Sequence, residues 1–157
     1  DSSYKMGSGH LMRCLTLADG LRERECKVSF LCRELPGNMI EYVETRGYKV
    51  HRLPYLEEGK KEVSGDLVHS AWLGVDWQTD AIETKSIFEK EGRTDWLIVD
   101  HYAIDNRWEG QMRPFAKKIM VIDDLADRPH DCDLLLDQNL YEDINNRYNG
   151  CVLASCK

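Results

Sequence analysis

Trp96-Leu97-Ile98-Val99-Asp100-His101-Tyr102 decides the reading of this chain. Four apolar residues run without interruption and then give way to an acid, an imidazole and a phenol. A continuous apolar run of this length, β-branched at Ile98 and Val99, suits a strand covered on both faces, as parallel strands are. Polar residues leaving such a strand sit where open parallel sheets bind ligands, beyond the carboxyl ends of their strands. By residue type alone the triplet equally suits a loop in which Asp100 caps a turn and Tyr102 packs.

Outward from this strand, helix and strand signals alternate. From Gly9 to about Glu25, apolar residues at Leu11, Cys14, Leu15, Ala18 and Leu21 make one helical stripe. Val28-Ser29-Phe30-Leu31-Cys32 reads as a strand stopped by Pro36-Gly37. A helix follows from an Asn38 cap to about Arg46, ended by Gly47, and Tyr48 to Leu53 is the next strand. The stretch from Pro54 to Gly74, with Glu57-Glu58-Gly59-Lys60-Lys61 inside it, has no period and reads as a surface loop. Asp76 caps a helix reaching about Glu91, closed by Gly92. Beyond the central strand the pattern predicts a helix from Asn106 to Ala116 and strands at Ile119 to Ile122 and Asp133 to Leu136.

Strands separated by helical segments of about ten residues imply right-handed crossovers and a parallel sheet. The fold class is α/β, a Rossmann-like parallel sheet with helices on both faces. The 157 residues suit one domain, with little room for a second. A doubly wound sheet ordinarily begins with a buried strand feeding its glycine turn, and no apolar run precedes Gly7. The chain is therefore expected to be part of a longer one that supplies this strand.

Composition narrows the partners. The formal net charge of -7, from 21 basic and 28 acidic residues, disfavours a nucleic-acid or anionic-membrane partner, both of which want a basic face. A small anion held at a helix N-terminus remains compatible with it. No apolar run approaches the ~20 residues of a membrane span, and no basic-then-apolar leader opens the sequence. Among the six cysteines there is no Cys-x-x-Cys pair, so neither zinc nor a disulfide framework is expected. Most of them read as small buried hydrophobes, reduced, in a cytoplasmic protein.

Three clusters carry chemistry. Gly7-Ser8-Gly9-His10 precedes the first helix, where glycines allow positive φ and the helix end presents N–H groups to an anion. The positive end of the helix favours an uncharged imidazole at His10, which suits a general base, although by itself a GxGH reads first as a tight turn with a capping histidine. Asp100-His101-Tyr102 is the second cluster. The third is Asp123-Asp124-Leu125-Ala126-Asp127-Arg128-Pro129-His130-Asp131-Cys132-Asp133, whose acids read as turn and cap formers rather than metal ligands. Asp137-Gln138-Asn139 leaves the last strand toward the same end of the sheet. There is no GxSxG elbow, and Cys14 sits in the core stripe, so nucleophilic catalysis has little support.

The four segments DSSYKMGSGHLMRCLTLA, LIVDHY, IDDLADRPHDCD and LLLDQN, in that order, resemble the N-terminal half of the UDP-sugar hydrolases of pseudaminic-acid biosynthesis, to which spore-coat polysaccharide proteins are related. The resemblance covers essentially the whole chain. It implies a GT-B architecture of two Rossmann-like domains, of which this is the first, with a C-terminal nucleotide-binding domain supplied in cis. It also implies water attack at the anomeric carbon of a UDP-linked diacetamido-trideoxy sugar, with inversion and with neither metal nor cofactor. His10 matches the family's active-site base and Tyr102 its substrate-positioning tyrosine. Gly7, Ser8, Gly9, Arg13, Asp100, His101 and Asn139 are expected to line the substrate site. The domain alone is expected to be inactive or weakly active. A GT-B glycosyltransferase with a UDP-sugar donor, and a non-catalytic sugar-binding domain, are the alternatives.

Overall fold

The computed structural model describes residues 1–55, 66–143 and 146–157. Two compact units divide the chain, Asp1–Val63 and Ser64–Lys157. Each has its own parallel sheet flanked by helices, so the α/β class holds. Among the described residues the strands are hydrogen-bonded as two sheets, one of two strands and one of three. The charged run at 57–61 lies outside the described residues.

In the first unit, helix α1 (Gly9–Arg22) leads to strand β1 (Ser29–Arg33), helix α2 (Ile40–Thr45) and strand β2 (Lys49–Leu53). β1 and β2 are parallel, with Phe30 opposite Val50 and Cys32 opposite Arg52. The predicted stripe of α1 is its buried face: Leu11, Leu15 and Ala18 pack with Cys32, Ile40, Val43 and Tyr48 in one core. Each fully buried Leu or Ile contributes about 1.5–3 kcal/mol. Tertiary packing therefore holds α1, since Ser8 at its N-cap makes no side-chain cap bond. α2 starts later than predicted, with Met39 at the cap position. Asn38 still acts as the start signal, because its Oδ1 accepts from Ile40 N–H at 3.1 Å.

In the second unit a 3-10 turn (Ser70–Leu73) precedes helix α3 (Trp77–Glu91), strand β3 (Thr94–Val99), helix α4 (Asn106–Met112), a second 3-10 turn (Arg113–Phe115), strand β4 (Ala116–Ile122) and strand β5 (Leu134–Leu136). The three strands are parallel in the order β3-β4-β5, with Val99 opposite Val121 and Val121 opposite Leu135. Asp76 caps α3 as expected, accepting from Thr79 N–H at 2.8 Å.

Four expectations are corrected. α4 does not run to Ala116: Pro114 lacks an N–H and clashes with the preceding turn, so the helix tightens into a 3-10 turn and β4 begins there. β3 is not covered on both faces along its length, because Trp96 is 47% exposed while Leu97 and Val99 are buried. Of the cysteines only Cys32 and Cys132 are buried, Cys26 is exposed, and Cys14 is half-buried rather than central in the α1 stripe. The stretch before Gly74, read as loop, contains the Ser70–Leu73 turn.

β5 is three residues long, and its entry is held by charge. Arg113 Nη1 pairs with Asp133 Oδ2 at 2.5 Å and Arg113 Nη2 with Asp131 Oδ1 at 2.7 Å. Asp133 also accepts from Lys118 Nζ at 2.8 Å and from Ile119 N–H at 2.9 Å. Burial opposes ionisation of Asp133, but Lys118, the Ile119 amide and Arg113 outweigh it and hold the carboxyl well below the usual range. Beneath this clasp Glu109, fully buried on α4, meets His130 Nδ1 at 2.8 Å and accepts from Asp131 N–H.

Candidate functional site

The glycine turn of the first unit is closed by its own backbone. Gly7 N–H donates to Ser3 O at 2.8 Å, and Met6 N–H donates to Ser3 Oγ at 3.0 Å. Gly7 takes φ +75, which a side chain rarely adopts, and a Cβ on Gly7 or Gly9 would meet nothing within 4 Å. The backbone at the head of α1 is thus bordered by open space on the side those glycines present.

His10 stands in the first turn of α1 and is only 6% exposed. Its Nδ1 lies 3.1 Å from Arg13 Nη2, one turn further along. A guanidinium has no acceptor, so Nδ1 must accept, and a neutral ring then carries its proton on Nε2. The sequence pairs these two residues by their i, i+3 spacing. The tautomer this sets was not legible from residue types.

In the second unit, the C-terminal ends of all three strands contribute to one cluster. Tyr102, just past β3, donates its O–H to Asp124 Oδ1 at 2.5 Å. Asn139, past β5, donates from Nδ2 to Asp124 Oδ2 at 3.1 Å. Asp124, past β4, is therefore the hub, and it is absent from the predicted site residues. The strand exits were visible, since β3, β4 and β5 each exit on an acid, at Asp100, Asp123-Asp124 and Asp137, but residue types did not single out Asp124. Residues at corresponding exits of adjacent parallel strands are brought side by side.

The neighbours of Asp124 fix this arrangement. Asp123, fully buried, pairs with the buried Arg128 at 2.8 Å. Arg128 Nε also donates to Ile104 O at 2.8 Å, tying the loop after β4 to the loop after β3. Tyr148 O–H donates to Asp123 O at 2.8 Å. Burial, reinforced by Asp123 and Asp137, pushes this phenol far above its ordinary range, so it stays a donor. Arg147 pairs with Asp137 at 3.1 Å and donates to Asp124 O at 2.6 Å.

Asp100 and His101, predicted to line a substrate site, are both buried. His101 Nδ1 accepts from Ala103 N–H at 3.0 Å, which shapes the turn that carries Tyr102. Of the predicted residues, then, the structure brings His10 together with Arg13, and Tyr102 together with Asn139 through Asp124. In the acid-rich segment Asp123 and Asp127 pair with Arg128, and Asp131 and Asp133 with Arg113.

No family model matches the chain. Its fold and strand-exit polar groups define a parallel α/β protein with a glycine-led helix start. Among curated proteins it is similar to the UDP-2,4-diacetamido-2,4,6-trideoxy-beta-L-altropyranose hydrolase of Campylobacter jejuni subsp. jejuni serotype O:2, at 29% identity over 163 residues. That alignment covers 100% of this chain and 46% of the hydrolase, so the chain spans about half the length of that protein. No helix among the described residues is long and apolar enough to cross a membrane.

Proposed function

We propose that the chain is the first half of a GT-B-type UDP-sugar hydrolase acting in pseudaminic-acid-type biosynthesis. Its substrate is a UDP-linked diacetamido-trideoxy sugar. The observation that carries this reading is the likeness to the Campylobacter hydrolase along the whole chain. Two local features add support, a histidine at the head of α1 in the first unit and a tyrosine oriented by Asp124 in the second.

The water oxygen bonds to the anomeric carbon from the face opposite the leaving group, and the bond from that carbon to the diphosphate oxygen breaks. The sugar is released inverted, and UDP leaves already anionic, so no strong general acid is required. His10 takes the water's proton. Its Nδ1 lone pair is committed to Arg13 at rest. The substrate diphosphate, a stronger partner for a guanidinium than a neutral imidazole, draws Arg13 away and frees that lone pair. Gly7, Ser8 and Gly9 let the substrate approach the backbone. Tyr102 and Asn139 position the sugar, while His101 shapes the turn that carries Tyr102. A second, nucleotide-binding domain supplies most contacts to UDP, so the chain alone turns over slowly.

The test is UDP release from the UDP-sugar without acceptor, using protein that carries this chain with its nucleotide-binding domain. Hydrolysis yields UDP and a free sugar whose first-formed anomer is inverted by proton NMR. His10→Asn is expected to lower kcat by about 10²–10⁴-fold with KM near wild type. A raised KM with turnover retained would falsify the base assignment. Reaction only after an acceptor is added indicates a glycosyltransferase. Sugar binding without turnover, indifferent to changes at His10 and Tyr102, indicates a non-catalytic binding domain.

A further inference from the structure

The geometry points to His69 and Trp72 as specificity-determining residues that form, with Tyr102 and the Asp124 carboxylate, a shelf for a neutral acetamido-bearing pyranose; this rests on the hydrolase reading and assigns the sugar a place within it.

The ring of His69 lies 4.5 Å from that of Trp72 and 5.5 Å from that of Tyr102, and Trp72 lies 5.9 Å from Tyr102. The interplanar angles of 49°, 43° and 33° show tilted rings rather than a flat stack. All three residues are half-buried, whereas Trp108 of α4 is buried. Aromatic surface beside a few fixed polar groups is the composition of small-molecule sites.

The polar group here is Asp124. Its two oxygens accept from the neutral donors Tyr102 and Asn139. An ionised carboxylate offers about four acceptor positions, so it retains capacity for a hydroxyl or an acetamide N–H. Asp123 and Asp137 at the same strand ends are paired with Arg128 and Arg147, so the Asp124 carboxylate, whose own donors are neutral, is the like charge a diphosphate placed there would meet. A neutral ring with an apolar C–H face and N–H donors avoids that repulsion. The aromatic rings therefore take the sugar face, and Asp124 selects for donors at its edge.

The chain is titrated with free 2,4-diacetamido-2,4,6-trideoxy sugar and, separately, with UDP, following sugar signals by saturation-transfer NMR and affinity by chemical-shift change. Wild type is expected to bind the sugar through its ring and acetamide protons. Trp72→Ala is expected to weaken that binding roughly two- to tenfold, and Trp72→Phe to restore most of it. Asp124→Asn is expected to weaken it comparably, and UDP shifts are expected to be unchanged in each variant. Circular dichroism of Trp72→Phe and Asp124→Asn separates lost binding from lost folding. Sugar affinity equal to wild type in Trp72→Ala and Asp124→Asn overturns the shelf, as does no sugar binding to wild type up to about 50 mM, where millimolar ligands are still visible. The hydrolase reading is judged separately by UDP release, so sugar binding without hydrolysis removes that reading and leaves the shelf.

Discussion

The hydrogen bond from Arg13 to His10 Nδ1 turns a histidine of unspecified chemistry into one with a defined tautomer. Nitrogen-15 NMR of the chain is expected to show the neutral imidazole of His10 with Nδ1 unprotonated and Nε2 protonated. Arg13→Met is expected to relax this toward a mixture, and an unchanged pattern would mean that another group sets the tautomer. Arg128 acts differently, because its partner Asp123 has no access to water. Arg128→Met leaves a buried carboxylate without its counter-charge and is expected to cost about 3–5 kcal/mol. Urea unfolding measures that loss, whereas Asp127→Ala, which removes the more exposed partner of the same guanidinium, is expected to change stability by less than about 1 kcal/mol.

Single elements were legible wherever a cap and a period agreed. Asp76 precedes a 3.6-residue pattern and Gly92 follows it, so α3 could be bounded from residue types. Asp76→Ala is expected to destabilise the protein by about 1 kcal/mol, read as a lowered thermal midpoint. The Thr79 amide bond, ahead of the smaller opposing effect of burial, holds the Asp76 carboxyl below its usual value. The cap's contribution is therefore complete above the ordinary carboxylate range and lost as pH falls through the lowered folded value. The wild-type–variant difference should shrink in acid. Legibility failed where a local covalent rule overrode the pattern. The apolar spacing of α4 continues past Met112, but Pro114 cannot, and the 3-10 turn at Ser70–Leu73 is too short to show a period. At the candidate site, the strand exits were readable and the hub was not. Asp124 looked like one turn-forming acid among many, and only the register of β3, β4 and β5 selects it.

Across the whole molecule, each unit closes its own sheet and the two sheets are unequal. Among the described residues β4 is bonded on both edges, to β3 and β5, whereas β1 and β2 pair only with each other. Ile119, Val121 and Ile122 are also almost wholly buried. Native-state hydrogen exchange is expected to find the slowest amides in β4, with β1 and β2 exchanging through lower-energy openings. Equal protection in β1 and β4 would mean that the chain opens as one cooperative body. The parallel α/β class was visible from alternation alone, because that pattern depends on chain-local periods. The partition into two sheets depends on which strands pair, which periods do not encode.

The clasp around Asp133 also acts as an index mark. A three-residue strand offers too few ladder bonds to choose among neighbouring alignments, and slipping by one residue would turn each side chain to the opposite face. Arg113, Lys118 and the Ile119 amide all converge on one carboxylate, so such a slip would break several contacts at once. Asn139, six residues downstream, thereby inherits its place from an ionic lock at the far end of the strand.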